Sequence, residues 1–204
     1  MKLQHLAVCA LMFGCGAAQA LTLNFNAQAD NQYWIGSTSS QGYTEVGKNN
    51  GSGDIGLVSR VDGFGNTNGT VSLISWNNDG ATSGFSLSKS NASAFSLLSF
   101  DFANGYPEFN SAVSSIDVIG TLSGGGSVSQ HFASTWGSTN FVNFTFNSAF
   151  SNLLTVDFIA NGSQNRAIWD NIVVGEANKI PEPTSMALFG LGLAALTYRR
   201  RKAL

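Results

Sequence analysis

The sequence contains few of the residues that carry catalytic or metal chemistry. It has two cysteines, Cys9 and Cys15, and two histidines, and charged residues make up 11% of its 204 positions. Both cysteines precede residue 20, so the rest of the chain offers no disulfide, thiolate nucleophile or cysteine metal site. Beyond residue 20 His131 is the sole histidine, and neither a nucleophile-elbow serine motif nor an H-E-x-x-H motif occurs. These absences predict a protein that is not an enzyme.

Basic residues are also scarce, and they are unevenly placed. From Leu21 to Lys179 the chain has five cations and eleven anions, a net charge of −6, whereas four of the other cations form the run Arg199-Arg200-Arg201-Lys202. Nucleic-acid binding relies on Lys and Arg at the phosphates. An acidic central region without a basic stripe therefore excludes nucleic acid as a partner.

The N-terminus has the pattern of a signal peptide. Lys2 precedes an apolar run from Leu6 to Phe13, and small residues follow, ending in Ala18-Gln19-Ala20. The run is shorter than the roughly 20 residues that span a bilayer. We predict that residues 1–20 are a signal peptide that forms a helix, and that signal peptidase cleaves after Ala20. Lipoprotein processing at Cys15, after Gly14, is the alternative.

The C-terminus carries three features in a fixed order. Pro181-Glu182-Pro183 comes first, an apolar stretch from Met186 to Leu196 follows, and Arg199, Arg200, Arg201 and Lys202 end it. This arrangement resembles the PEP-CTERM sorting signal. The resemblance implies that an exosortase, a membrane enzyme of the cysteine-transpeptidase kind, recognises Pro181-Glu182-Pro183 and removes residues beyond it.

Membrane physics accounts for the parts of this tail. The apolar stretch predicts one short transmembrane helix, whose basic end stays in the cytoplasm by the positive-inside rule. With an exported N-terminus, this places the central region outside. We expect transient anchoring in the inner membrane followed by release to the cell surface or the extracellular space; a permanent membrane anchor is the alternative.

The central region, residues 21–179, shows the period-2 hydrophobic pattern of β-strands and no helical stripe. We predict eleven strands: Leu21–Phe25, Thr44–Gly47, Ile55–Val61, Thr70–Trp76, Phe85–Lys89, Phe95–Phe102, Val113–Gly120, Ser127–Phe132, Phe141–Phe146, Leu154–Ala160 and Arg166–Val174. Each has one apolar face, and two packed antiparallel sheets bury such faces most simply. The fold class is therefore all-β, an antiparallel β-sandwich of jelly-roll type, forming one ectodomain between the signal peptide and the sorting signal of residues 180–204.

The second half of this region resembles a jelly-roll module of PEP-CTERM proteins that is similar to carbohydrate-binding modules. Ile116–Gly120, the Gly124-Gly125-Gly126 turn, Leu154–Phe158 and Ile168–Val174 carry the resemblance. It implies a structural calcium ion against the last strand, which makes Asp170 a candidate ligand.

Asp170 is predicted to share a strand face with Ile168 and Ile172, where an ionised carboxylate needs a partner. Calcium ligands beside it would come from Asp30, Asp54 or Asn171. The alternative is a carboxylate that accepts hydrogen bonds from the backbone or from Arg166.

The sequence is compatible with two functions. The first is an exported, non-enzymatic protein of the cell surface, the extracellular matrix or the biofilm, processed by signal peptidase and exosortase. The second is a calcium-stabilised carbohydrate-binding module that holds exopolysaccharide on exposed aromatic rings such as Trp76, Trp136 or Trp169. Ice binding is disfavoured because the sequence lacks a regular threonine repeat.

Overall fold

A computed structural model describes residues 19–30, 32, 35–48, 55–58, 68–77, 82–105, 112–133, 140–163 and 166–177. The predicted sorting signal and all but the last two residues of the predicted signal peptide lie outside these ranges, as do the two helices predicted there. In the part of the chain that is described, no helix is long and apolar enough to cross a membrane.

The described residues form twelve strands. They are β1 (Leu21–Leu23), β2 (Ser37–Ser40), β3 (Tyr43–Gly47), β4 (Ile55–Val58), β5 (Ser72–Trp76), β6 (Thr82–Lys89), β7 (Phe95–Asn104), β8 (Ala112–Leu122), β9 (Ser127–Ala133), β10 (Val142–Thr145), β11 (Leu153–Ser163) and β12 (Arg166–Glu176). All their pairings are antiparallel.

The strands divide into two antiparallel sheets. The first has the order β2-β3-β6-β11-β8-β9. The second has the order β10-β7-β12-β5-β4, and β1 pairs with the part of β12 that β5 leaves free. Among the described residues a single pair, Leu153 with Phe95, joins the two sheets.

The core lies between the sheets, around Trp169 of β12. Its fully buried indole contacts Phe85 and Phe158 of the first sheet, with ring centroids 5.5 and 5.6 Å away. The indole N–H donates to the Ser75 hydroxyl at 2.9 Å, and that hydroxyl lies 3.2 Å from the Ser83 hydroxyl on the facing sheet. The apolar faces therefore meet as predicted, and the buried indole N–H has a partner.

The antiparallel β-sandwich is confirmed, and each of the eleven predicted strands is present in part or in full. The N-terminal strands belong to the same two sheets as the C-terminal ones. β2 was missed because its sequence, Ser-Thr-Ser-Ser, has no apolar residue. It is paired by the turn at Gln41 and Gly42, whose φ angles of 50° and 85° suit a tight hairpin.

By alternation, the predicted strand Leu154–Ala160 would place Leu154 on the buried face of Val156 and Phe158, and this prediction was wrong. The register between β11 and β8 shifts between Leu153 and Thr155, so Leu153 is fully buried and Leu154 is 37% exposed. An irregularity of this kind adds a residue to one strand and reverses the side-chain parity beyond it.

Both ends of the described chain lie at one end of the sandwich. Leu21 pairs with Val174, close to the end of β12 at Glu176. Ala20, after which cleavage is predicted, is exposed immediately before β1. Residues 21 and 176 thus leave the domain side by side.

Candidate functional site

Asp170 is the buried acidic residue on which the sequence prediction centred. It lies in β12, is 1% exposed, and stands opposite Asp101 of β7. Its Oδ2 accepts hydrogen bonds from Asn68 Nδ2 at 2.8 Å, Thr70 Oγ1 at 2.9 Å and Ser72 Oγ at 3.3 Å. Its Oδ1 accepts one from its neighbour's backbone N–H, that of Asn171, at 2.8 Å.

A bulge in β12 creates this arrangement. The register against β7 shifts between Asp170 and Val173, and Asn171 has a φ of 45°, in the left-handed region that asparagine tolerates better than most residues. The predicted sharing of one face by Ile168, Asp170 and Ile172 was therefore wrong. Ile172 belongs to the core between the sheets, whereas Ile168 packs in a separate cluster with Ile74 and Trp76.

Asp101 has amide partners of its own. Its Oδ1 accepts from Asn143 Nδ2 at 2.7 Å, and its Oδ2 accepts from Asn171 Nδ2 at 2.9 Å. Asn171 thus serves both carboxylates, Asp170 through its backbone and Asp101 through its side chain. We call this set the outer polar cluster; its members are Asn68, Thr70, Ser72, Asp101, Asn143, Asp170 and Asn171.

The outer polar cluster adjoins an apolar group on the same side of the second sheet. Ile74, Trp76, Ala103 and Ile168 are buried there, and Phe141 packs against them. Trp76 is 5% exposed and Trp169 is fully buried. Neither ring is therefore presented flat to solvent, as the sugar platform predicted for these two residues would require. Trp136 lies outside the described residues.

The structure brings only part of the predicted calcium set together. Asn171 adjoins Asp170, but through a donor N–H, and Asp54 is not among the described residues. No group of three His, Cys, Asp or Glu side chains is placed to hold a metal in the described ranges. The partners of Asp170 that sequence reasoning missed are Asn68, Thr70 and Ser72, whose spacing of two residues was the one available signal.

Four donors converge on the Asp170 carboxylate, and this gives a direct prediction. We expect Asp170→Ala to lower the free energy of unfolding by about 1–3 kcal/mol, because the buried Ser72 hydroxyl and the three other donors lose their shared acceptor. Denaturant unfolding measures this, with Asp101→Ala as the more exposed control.

The calcium assignment at Asp170 stays a prediction, and the same two variants test it. A melting temperature that calcium raises in the unchanged chain but not in Asp170→Ala would establish the ion. Equal stability of the unchanged chain and Asp170→Ala would contradict the hydrogen-bonded role.

The predicted sorting residues Pro181, Glu182 and Pro183 and the cations Arg199, Arg200, Arg201 and Lys202 lie outside the described residues, as does Ala18. By connectivity, Pro181 comes five residues after the end of β12 at Glu176.

Comparison with solved structures found similar folds among carbohydrate-binding modules of family 29. A family 29 module complexed with mannohexaose is 16% identical, with a TM-score of 0.48, and the alignment covers 78% of this chain and 93% of that one. One complexed with cellulohexaose is 16% identical, with a TM-score of 0.49 and coverage of 78% and 92%. A further family 29 structure is 16% identical, with a TM-score of 0.48, and the alignment covers 82% of this chain and 97% of that one.

Comparison with curated protein sequences found no match. Comparison with protein families matched one short segment, which lies beyond the described part of the chain. Residues 179–202 carry the PEP-CTERM protein-sorting motif.

Proposed function

We propose that this chain is an exported, non-enzymatic protein of the cell surface or extracellular matrix that an exosortase sorts through Pro181-Glu182-Pro183. The observation that carries the proposal is the match of residues 179–202 to the sorting motif. Signal peptidase and the exosortase are its processing partners, and the inner membrane holds it between the two steps.

The geometry of the sandwich supports this route. Because Leu21 pairs with Val174, the two segments that link the domain to the membrane leave from one end. The ten residues from Glu176 to Met186, where the apolar stretch begins, reach at most about 36 Å when extended. That end of the domain is thus held within this distance of the membrane, while the opposite end projects outwards.

The opposite end is the one at which β5 ends and β6 begins. Trp76 pairs with Arg166, the first residue of β12, and Thr82 pairs with Asn161 near the end of β11. In this orientation, the end of β5, the start of β6, the end of β7 and the start of β8 lie away from the membrane, where partners of a surface protein are met.

Polysaccharide binding is the second candidate function. The outer polar cluster favours it, because Asn143 is exposed and Asp101 only half-buried, so both present polar atoms at the surface. Binding of a bacterial exopolysaccharide by the purified protein would support this function. Absence of binding to any such polymer would favour a structural role at the cell surface or in the matrix.

Intact mass spectrometry of protein recovered from its native host tests the sorting proposal. We expect the unchanged chain to begin at Leu21 and to end near Pro181. Replacing Pro181, Glu182 and Pro183 by Ala should leave the whole tail attached, while Glu176→Ala, just upstream of the motif, should be processed normally. A mass that contains Arg199 to Leu204 in every variant would mean a permanent anchor and would overturn the proposal.

A further inference from the structure

The first sheet ends in a long edge strand, β9, on whose outer side the described residues place no further strand. β9 pairs with β8 over all seven of its residues, in an unbroken register from Ser115–Ala133 to Thr121–Ser127. Within the described residues, no backbone group of β9 is bonded on its other side. Such an edge presents a row of N–H and C=O groups that can pair with a further strand.

The other edges of the two sheets are shorter or covered. Gln32 and Ile35 hydrogen-bond to the outer side of β4 through their backbone N–H groups, at 3.0 and 3.1 Å. The Gln28 side chain donates to the Ser39 carbonyl of β2. β10 has four residues. As far as the described ranges show, β9 is therefore the edge most open to another strand.

β9 also lacks the features by which edge strands resist pairing. Its sequence, Ser-Val-Ser-Gln-His-Phe-Ala, contains no proline, lysine or bulge. Its one ionisable residue, His131, is paired with Asp117, with Nδ1 2.6 Å from Oδ1. Its side chains alternate, with Ser127, Ser129, His131 and Ala133 exposed and Val128, Gln130 and Phe132 partly buried.

We propose that β9 pairs antiparallel with β9 of a second copy of this chain, about a two-fold axis at Gln130. This is the register that pairs all seven residues. It places Val128 opposite the partner's Phe132 on the inner side and Ser129 opposite the partner's His131 on the outer side. Apolar residues meet apolar ones and no like charges face each other, so the edge is complementary to itself.

The partner is a second copy because β9 is complementary to β9 itself, and this pairing continues the first sheet into the other copy. Two sheets of six strands would become one continuous sheet of twelve across the dimer. The paired segment of seven residues is about 23 Å long. The area that one such pair of strands buries is smaller than the roughly 1,200 Å² of a stable interface. The association is therefore weak in dilute solution and grows as copies accumulate on a surface. The pairing is independent of exosortase processing.

Sedimentation equilibrium of the full chain in mild detergent tests this pairing. We expect the average mass to rise with concentration towards that of a dimer. Ser129→Lys, an exposed change on the edge, should weaken association about tenfold, because charged edge residues oppose pairing. Thr121→Lys adds the same charge to exposed β8, one strand inside the edge, and should associate like the unchanged chain.

Hydrogen exchange locates the contact. On raising the concentration, the amides of β9 should become protected in the unchanged chain and not in Ser129→Lys. A chain that stays monomeric throughout would overturn the proposal. Association that Ser129→Lys leaves unaltered would also overturn it, because the contact would then lie elsewhere, for instance in the apolar tail that all variants share.

Discussion

Glu45→Gln is expected to remove a steep loss of stability with rising pH. Glu45 lies in β3, on the inner face of the first sheet, and is fully buried. Among the described residues, neither oxygen of its carboxyl has a hydrogen-bond partner. Burial raises the pKa of Glu45 from 4.5 to about 8, because an ionised carboxylate loses its hydration in the core.

The direction of the effect follows from proton binding. Below about pH 4.5 the carboxyl is protonated in the folded and unfolded chains alike, so it adds no pH dependence. Between about pH 4.5 and about pH 8 only the folded chain holds the proton, so stability falls as the pH rises. Above that interval both states are ionised and the loss is complete. The full span is of the order of 4–5 kcal/mol as an upper bound.

Urea unfolding across this pH range measures the slope. Glu45→Gln keeps the shape and removes the titration, so its curve should be nearly flat and should lie above that of the unchanged chain near pH 8. Glu176→Gln is the matched control, since that carboxyl is 68% exposed. Tyr43 does not interfere, because burial raises its pKa to about 12. A slope that survives in Glu45→Gln would show that another group titrates.

The sequence was sufficient to predict the sandwich because the fold follows from the alternation of apolar and polar residues along the strands. In β10 and β11, residues such as Phe144, Val156 and Phe158 recur at every second position, and each packs into the core. Antiparallel pairing of strands with one apolar face leaves few alternatives to two packed sheets. β2 escaped prediction because hydrogen bonding to β3, rather than burial, makes it a strand.

The facing of individual residues was harder to predict, because local irregularities decide it. Glu45 is buried while its apolar neighbour Val46 is 45% exposed. Side chains alternate along β3, so Glu45 shares the buried face of Tyr43 and Val46 lies on the other face. At Asn171 one extra residue sends Ile172 to the opposite side from Ile168. Neither register is encoded in composition; each arises from the pairing of strands far apart in the chain.

In the candidate site, too, the sequence predicted the burial of a residue but not its distant partners. Asp170 was predicted as a buried carboxylate because the apolar residues around it imply burial. Its partners Asn68 and Thr70 lie 102 and 100 residues away, in a stretch rich in Gly and Asn. Only the folded chain shows that they turn back onto β12 and donate hydrogen bonds to Asp170.

Gly84→Ala is expected to be among the most destabilising single substitutions in this chain. Gly84 lies within β6, which begins at Thr82, although the sequence pattern placed the start of the strand at Phe85. A Cβ added at Gly84 would lie 1.9 Å from the Phe158 carbonyl oxygen and 3.2 Å from Ile159 Cα. Both contacts are with the backbone of β11, so no rotation of a side chain relieves them.

To accept the methyl group, β6 and β11 would have to separate in the middle of the first sheet. Gly84 pairs with Ile159, and the next residue, Phe85, stacks on Phe158 with centroids 4.7 Å apart. Separation would therefore disturb the ladder and the aromatic core together. Overpacking of a core costs about 1–3 kcal/mol. With the lost ladder bonds, at about 1 kcal/mol each, we expect a cost above about 3 kcal/mol.

Gly124→Ala is the matched control, because nothing lies within 4 Å of a Cβ built there. It should change the free energy of unfolding by less than about 0.5 kcal/mol. Urea unfolding followed by tryptophan fluorescence measures both variants, since Trp169 packs against Phe85. If Gly84→Ala is as stable as Gly124→Ala, β6 and β11 do not approach this closely. A large gap between the two variants would instead show that this glycine is required by the close approach of two strands rather than by a turn.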